Sequence, residues 1–438
     1  MNMLRIHIAG LAILLSVSAA PAQQPVSLSL SQCRELALAH SEDLQQADNR
    51  LRQAELDSRI ASAARLPKID GSATGAYVFP DIDMMGMELC MRGTYMAGIN
   101  LTQPIYTGGK IAAANKLARI GQEVADEQLR KTRMDVIVEA DNAYWSYIAV
   151  SRKVRMLESC MAQMDTLYAQ TSSALAAGMA IENDLLRISA KRSEIDYQLQ
   201  RARNGADLCR MVLCRVIGSE FDTPIEPTDT VFVVSAPEIA TSDIEARPEY
   251  RMLEKQVAAG EQKIRDARSE MLPVVGLSAG YSYYGNIDLK SMVDAGNGTM
   301  VPYTQEFRDG IGIAMISVKI PIFHWGEGRN KVRKARYDLQ NSQLDLQKNS
   351  RLMSIEVQQA IRNVEDGYRL IATAEYGLAQ AVENLRVMRN RYAASMATLT
   401  DLLDAQTQWQ QAESNLIEAQ TQYRIYQTEY LRSTGRLN

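Results

Sequence analysis

The chain is poor in the groups that do chemistry. Among its 438 residues are three histidines, and His7 lies in an N-terminal segment expected to be removed. That leaves His40 and His324, too little for histidine-based catalysis or metal binding. The five cysteines (Cys33, Cys90, Cys160, Cys209, Cys214) show neither disulfide regularity nor C-x-x-C zinc spacing. They read as small apolar fillers. No phosphate loop and no nucleophile elbow is present, so the expectation is a protein without cofactor, metal or enzymatic activity. A net charge of −4 provides no basic patch for nucleic acid. Beyond residue 22 no apolar run reaches the roughly 18 residues of a spanning helix. Phenylalanine is scarce at 5 against 19 tyrosines, which suits amphipathic interfaces better than a dry core.

The first residues carry a targeting pattern. Arg5 and His7 precede an apolar stretch from Ile8 to Val17, and Ala20-Pro21-Ala22 fits a cleavage site. Residues 1–22 are therefore expected to be a secretory signal peptide. No cysteine directly follows, which argues against a lipid anchor there.

The rest of the chain alternates between two textures. Residues 31–65 hold neither glycine nor proline and read as helix, stopped at Pro67. Residues 68–79 and 92–103 are rich in Gly, Thr and Tyr. There Ala97, Ile99 and Leu101 alternate with Gly98, Asn100 and Thr102, the period-two sign of a strand with one apolar and one polar face. From 109 to 176 there is no proline, predicting a helix on the order of 100 Å long. Leu157, Met161, Met164, Tyr168, Thr171 and Leu175 step by four and three, as in a coiled-coil seam. A break at Gly178-Met179-Ala180 turns the chain into a returning helix to 216, whose seam has one misfit, Arg192.

Then the pattern repeats. Pro104-Ile105-Tyr106 is matched by Pro321-Ile322-Phe323 at an offset of 217 residues, which holds to the end of the chain. It pairs Glu139 with Glu356, Met179 with Met396, Asp184 with Asp401 and Gly218 with Gly435. The predicted organisation is a first repeat over 23–218 (hairpin 68–103, helical hairpin 109–216) and an irregular connector over 219–246. A second repeat follows over 247–438 (strands at 274–284 and 307–320, helical hairpin 327–433). The second β-hairpin is eleven residues longer than the first, and a Gly- and Asn-rich loop is expected to hold the excess. Four alternating strands per chain cannot close a membrane barrel, for which about eight is the usual minimum. Copies must therefore share one, and helices this long must project into water.

With that unit in view, the chain resembles the TolC-like outer-membrane efflux proteins over its whole mature length. The resemblance rests on the duplicated helix, Leu-Pro, β-hairpin, Pro-Ile-aromatic and long-helix order, and on the segment Tyr392 to Ala405. It implies a mixed α+β membrane protein. A homotrimer would share a 12-stranded transmembrane β-barrel, four strands per chain, continuous with a coiled-coil periplasmic tunnel. It further implies the outer membrane as location and outer-membrane lipid as surroundings. The partners implied are a periplasmic adaptor and an inner-membrane pump of RND or ABC type. The function implied is the exit duct of a tripartite efflux system, with type I protein secretion as an alternative. A soluble periplasmic coiled-coil adaptor or scaffold is the rival class.

Spacing leaves two readings for the carboxylates behind the helix breaks. Asp184, Asp401 and Asp404 are either first-turn carboxylates favoured by the helix dipole or, in a symmetric oligomer, an acidic ring that binds cations. The resemblance favours a closed aperture lined by Asp401 and Asp404, latched by Asp184, Tyr392 and an arginine. That arginine's position is Ala397 here, so Arg187 or Arg391 would have to take its place. The breaks Gly178-Met179-Ala180 and Ser395-Met396-Ala397 are turns that would also dock adaptor hairpins.

Overall fold

The computed structural model describes residues 26–229, 232, 234–239, 242–296 and 298–437. The expected signal peptide lies outside them. The elements run β1 (Val26–Leu28), α1 (Leu30–His40), α2 (Glu42–Ala63), β2 (Lys68–Tyr77), β3 (Ile82–Met84), β4 (Met87–Cys90) and β5 (Arg92–Thr107). They continue α3 (Lys110–Ala176), α4 (Glu182–Ile217), β6 (Ile225–Pro227), α5 (Pro248–Ser269), β7 (Val274–Asp294), β8 (Met300–Lys319), α6 (Glu327–Ala393) and α7 (Leu399–Ser433). No described helix is long and apolar enough to cross a membrane.

Three expectations are corrected. The helix over 31–65 is two helices. Ser41 leaves helical geometry, and its Oγ accepts from the Leu44 N–H at 3.2 Å, starting α2 afresh. The second β-hairpin places its extra residues in longer strands, not in a loop. Past a bulge at Tyr284/Ile287 the β7–β8 ladder resumes and runs up to Asp294 against Met300. The linker between β2 and β5 is also ordered: β3 pairs with β4, and Glu88–Cys90 of β4 pair with residues 288–290 of β7.

The chain divides into two compact units. The first takes residues 26–40, 139–235 and 371–422. The predicted seam is an apolar cluster of this unit, where Leu157, Met164, Ile188, Ile195, Leu199, Leu402 and Ala405 are buried together. Arg192, the misfit, does not enter that core. It donates to Asp165 at 2.6 Å, and its guanidinium lies over the Tyr168 ring. The same unit pins the described N-terminal segment. β1 runs parallel to β6, and the Leu30 N–H donates to Asp229 at 2.8 Å. The Tyr144 hydroxyl lies 2.9 Å from that carboxylate, and burial first, then the carboxylate, pushes its pKa up. Arg34 grips the fully buried Asp141 with two bonds of 2.7 and 2.6 Å.

The second unit takes residues 41–138, 236–370 and 423–437 and holds the sheet. Its long strands are ordered β2-β5-β7-β8, all antiparallel. The register puts Ile69, Ile99, Leu101, Ala279, Tyr281, Ile316 and Val318 on one face. Lys68, Asp70, Asn100, Thr102, Ser278 and Ser282 lie on the other. Much of the apolar face is exposed. β8 departs from the alternation, with Ile311, Ile313 and Met315 on the otherwise polar face. Tyr281 lies across β8, where a Cβ on Gly310 would collide with its phenol, so that glycine leaves room for the aromatic. β2 pairs only with β5 and β8 only with β7, so each has one unpaired edge among the described residues.

Both repeats end alike. Gly218 and Gly435 are left-handed, each at φ +70°. In one, Ser219 N–H donates to Cys214 O at 2.8 Å; in the other, Arg436 N–H donates to Leu431 O at 2.8 Å. Asp141→Ala would leave the Arg34 guanidinium without its partner, and we expect a loss of about 3 kcal/mol. Thermal unfolding followed by helical circular dichroism measures it; an unchanged midpoint would remove the ion pair from the list of structural anchors.

Candidate functional site at the helical tips

The predicted site residues all lie in the first unit, around the α3–α4 and α6–α7 turns. The two turns share one backbone design. Met179 N–H donates to Ala174 O at 2.8 Å and Gly178 N–H to Leu175 O at 2.9 Å. Met396 N–H donates to Arg391 O at 2.7 Å and Ser395 N–H to Tyr392 O at 2.9 Å. These are paired Schellman stops at the same 217-residue offset. Gly178 takes the left-handed position at φ +71°; Ser395 takes it at φ +58°, a harder fit for a residue with a Cβ. Met179 and Met396 crown the turns at 79 % and 74 % exposure. Ala180 and Ala397 behind them are half-buried.

The four expected gate residues are arranged unequally. Asp184 is half-buried in the first turn of α4, whose N-cap, Ile181, has no capping side chain. Asp401 is exposed but engaged: its Oδ2 accepts from Thr398 N–H at 2.9 Å and from Thr398 Oγ1 at 2.7 Å. Thr398 Oγ1 in turn accepts from Asp401 N–H at 3.2 Å. This is a capping box, and the Thr398 hydroxyl, then its N–H, hold the Asp401 carboxyl below the usual carboxylate range. The pattern Thr398-x-x-Asp401 stands in the sequence and would have announced it. Asp404, one turn on, is exposed. Tyr392 packs against the buried seam cluster. Among the described residues no hydrogen bond joins Asp184 to Tyr392 within the chain.

What does join the two hairpins is Arg187. From α4 it donates to Thr400 Oγ1 on α7 at 2.6 Å. Of the two candidate replacement arginines this one bridges the hairpins; Arg391 shows an exposed side chain. Other links between the hairpins have the same character. Arg389 donates to Gln163 at 2.8 Å, Gln410 to Gln198 at 2.6 Å and Arg152 to Gln420 at 2.7 Å. Every acceptor is neutral. Inside the first hairpin the links are ion pairs instead, Arg192 with Asp165 at 2.6 Å and Arg203 with Glu158 at 2.8 Å. Single bonds to neutral oxygens are weaker than ion-paired ones, so along this stretch the seam between hairpins is the easier one to part; at the other end of α7, Arg432 pairs with Asp135 of α3 at 2.8 Å.

The sequence pattern of outer membrane efflux proteins matches residues 33–211 and 242–436. The chain belongs to the outer membrane efflux protein family. It is an outer-membrane efflux channel protein of mixed α+β fold. Outer membrane protein TolC of Escherichia coli is 21 % identical over 435 residues, covering 94 % of this chain and 86 % of TolC. Outer membrane protein OprJ of Pseudomonas aeruginosa is 22 % identical, covering 94 % and 84 %. Among solved structures, VceC of Vibrio cholerae superposes with a TM-score of 0.77 at 18 % identity, covering 93 % of this chain and 96 % of VceC. The CmeC channel of Campylobacter jejuni gives 0.76 at 18 % identity, covering 99 % and 94 %.

The capping box makes the α7 start of this efflux protein acid-sensitive. A carboxyl held below its unfolded pKa stabilises the fold above the ordinary carboxylate range, and the gain is lost as pH falls through the lowered value. Hydrogen exchange of the 399–402 amides, corrected for intrinsic rates, should therefore speed up on acidification. Asp401→Asn should show the faster exchange already at neutral pH; equal protection in both proteins would dismiss the box.

Proposed function

We propose that three copies of this chain close a 12-stranded barrel in the outer membrane and together form the passive exit duct of a tripartite efflux system. One observation carries the reading: the sheet of β2, β5, β7 and β8 has an exposed apolar face and two unpaired edges. Hydrocarbon offers no partner for an unpaired backbone edge, so a sheet that meets lipid must close on itself. Four long strands are too few to close alone, and three fours make 12. Each repeat, 23–218 and 247–438, would then give one barrel hairpin and one helical hairpin in the periplasm, with 219–246 as the connector. The soluble-scaffold alternative has no use for such a sheet.

The helical tips would form the gate. Around a threefold axis Asp401 and Asp404 recur as acidic rings that bind cations, with Asp184 and Tyr392 as their neighbours across the seam. Here the latch runs through Arg187 and Thr400, which replaces the arginine expected where Ala397 stands. Because the ties between hairpins near the turns are single bonds to neutral acceptors, the turn end of the second hairpin can swing out while the Arg432–Asp135 ion pair holds its other end. Gly178-Met179-Ala180 and Ser395-Met396-Ala397 would receive a periplasmic adaptor, which couples the duct to an inner-membrane pump. Two relatives bear the names solvent efflux pump outer membrane protein SrpC and toluene efflux pump outer membrane protein TtgI, each 22 % identical over 403 residues, which supports small organic cargo.

Planar-bilayer conductance of the purified protein tests the assembly and the gate together. The protein should run as a heat-sensitive trimer. Asp401→Ala/Asp404→Ala should abolish block by divalent cations, and Arg187→Ala should raise open probability without changing cation block. A monomer in detergent, or a double variant blocked like the wild type, would overturn the respective part of the reading.

A further inference from the structure

The two repeats differ sharply at the turn that joins the last strand of each to its long helix. At the 217-residue offset, Trp325 occupies the place of Gly108. Both are left-handed, Gly108 at φ +65° and Trp325 at φ +50°. Gly108 is pressed against the α5–β7 junction of the second repeat: a Cβ there would lie 2.6 Å from Ser269 O and 2.8 Å from Leu272 Cβ. Glycine is required by space as well as by φ. Trp325, in the same turn, touches nothing of the kind. It is 90 % exposed, and among the described residues its ring meets only that of Phe323, edge-on at 4.9 Å. A bulky residue in a left-handed turn is rare, and a large aromatic left in water forgoes its apolar burial.

We propose that Trp325 and Phe323 form an aromatic hook that fills the seam between adjacent copies, seated on the α2–β2 junction of the next chain. This inference rests on the shared-barrel reading above. The occupant follows from the repeat itself. Within one chain, the flank of the Gly108 turn is covered by the helix–strand junction of the following repeat. The turn at Trp325 ends the last strand of the chain, β8, whose outer edge is open. The junction that would cover it is the equivalent one, α2 to β2, on another copy. That junction shows matching apolar surface: Ile60, Leu66 and Ile69 are all exposed. The hook side is likewise apolar and uncovered at Ile320 and Ile322.

The substitution also has a steric consequence. The close approach made at Gly108 is impossible at Trp325, because even a Cβ would collide at that distance. The three seams between copies must therefore be wider at this level than the three within chains, and the indole fills the difference.

Fluorescence can decide, because Trp145 is buried, Trp409 is half-buried and Trp325 is the remaining tryptophan. In the full-length W145F/W409F protein reconstituted in phosphatidylcholine vesicles, emission should be blue-shifted and resist both aqueous iodide and brominated lipid. A photo-crosslinking residue at position 325 should yield products of dimer and trimer mass, joined through peptides spanning 60–69. W325A should lower the temperature at which the trimer dissociates in detergent. Strong quenching by brominated lipid would make the hook a lipid contact, and strong quenching by iodide a solvent-exposed turn; either overturns the proposal while a trimer by light scattering leaves the shared barrel standing. A monomer by light scattering would remove both.

Discussion

The need to satisfy backbone hydrogen bonds at the edges of one sheet governs the rest of this protein. A strand in hydrocarbon has no water to fall back on. β2 and β8 each leave one edge unpaired, and the face between them is apolar. A soluble sheet would blunt such edges with charge or proline, or cover the face with a helix. Here Ile69, Ile99, Leu101, Ala279 and Tyr281 share one face, the face that the proposed barrel turns to lipid. In the proposed barrel, closure makes this four-stranded sheet part of a larger ring and the outer flanks of β2 and β8 the places where copies meet.

Duplication supplies that agreement cheaply in sequence and unevenly in detail. Both repeats stop their helices by the same paired hydrogen bonds, at Gly178 and Ser395 and again at Gly218 and Gly435. The backbone plan is thus twofold. Side chains then break the symmetry. Asp184 starts a helix whose cap residue is Ile181, while Asp401 closes a capping box with Thr398. Arg187 stands where the second copy has Asp404, and it reaches across to Thr400. Gly108 fits against a neighbouring junction, while Trp325 stands clear of one. Arg187 and Gly108 both mark places where the first repeat meets the second.

Much of the fold was legible because it is written in periodicity. Three-four stepping marks α3 and α4, with Arg192 as the one misfit, and the ends of α3, α4, α6 and α7 fall within a few residues of the expected ones. Strand extent was less legible. Past Tyr284 the β7 sequence loses its alternation at a bulge, so Met292 and Val293 read as loop although they continue the ladder. The break at Ser41 was hidden because a lone serine in a helical run is ordinary until its hydroxyl is seen to cap Leu44. At the site, the carboxylates were visible as residue types, but their state was not. Asp401 is committed to its own helix end, a capping box that the Thr398-x-x-Asp401 spacing signals and the Thr398 bonds show.

Residue spacing and composition alone fix the duplication and the texture of each segment. Folding settles which strands are neighbours, which arginine bridges the hairpins and, among the described residues, which edges stay open and that Trp325 has no partner ring beyond Phe323. Those facts join residues such as Arg187 and Thr400, 213 positions apart. No local period encodes such a meeting; it exists only once the second repeat has folded back beside the first.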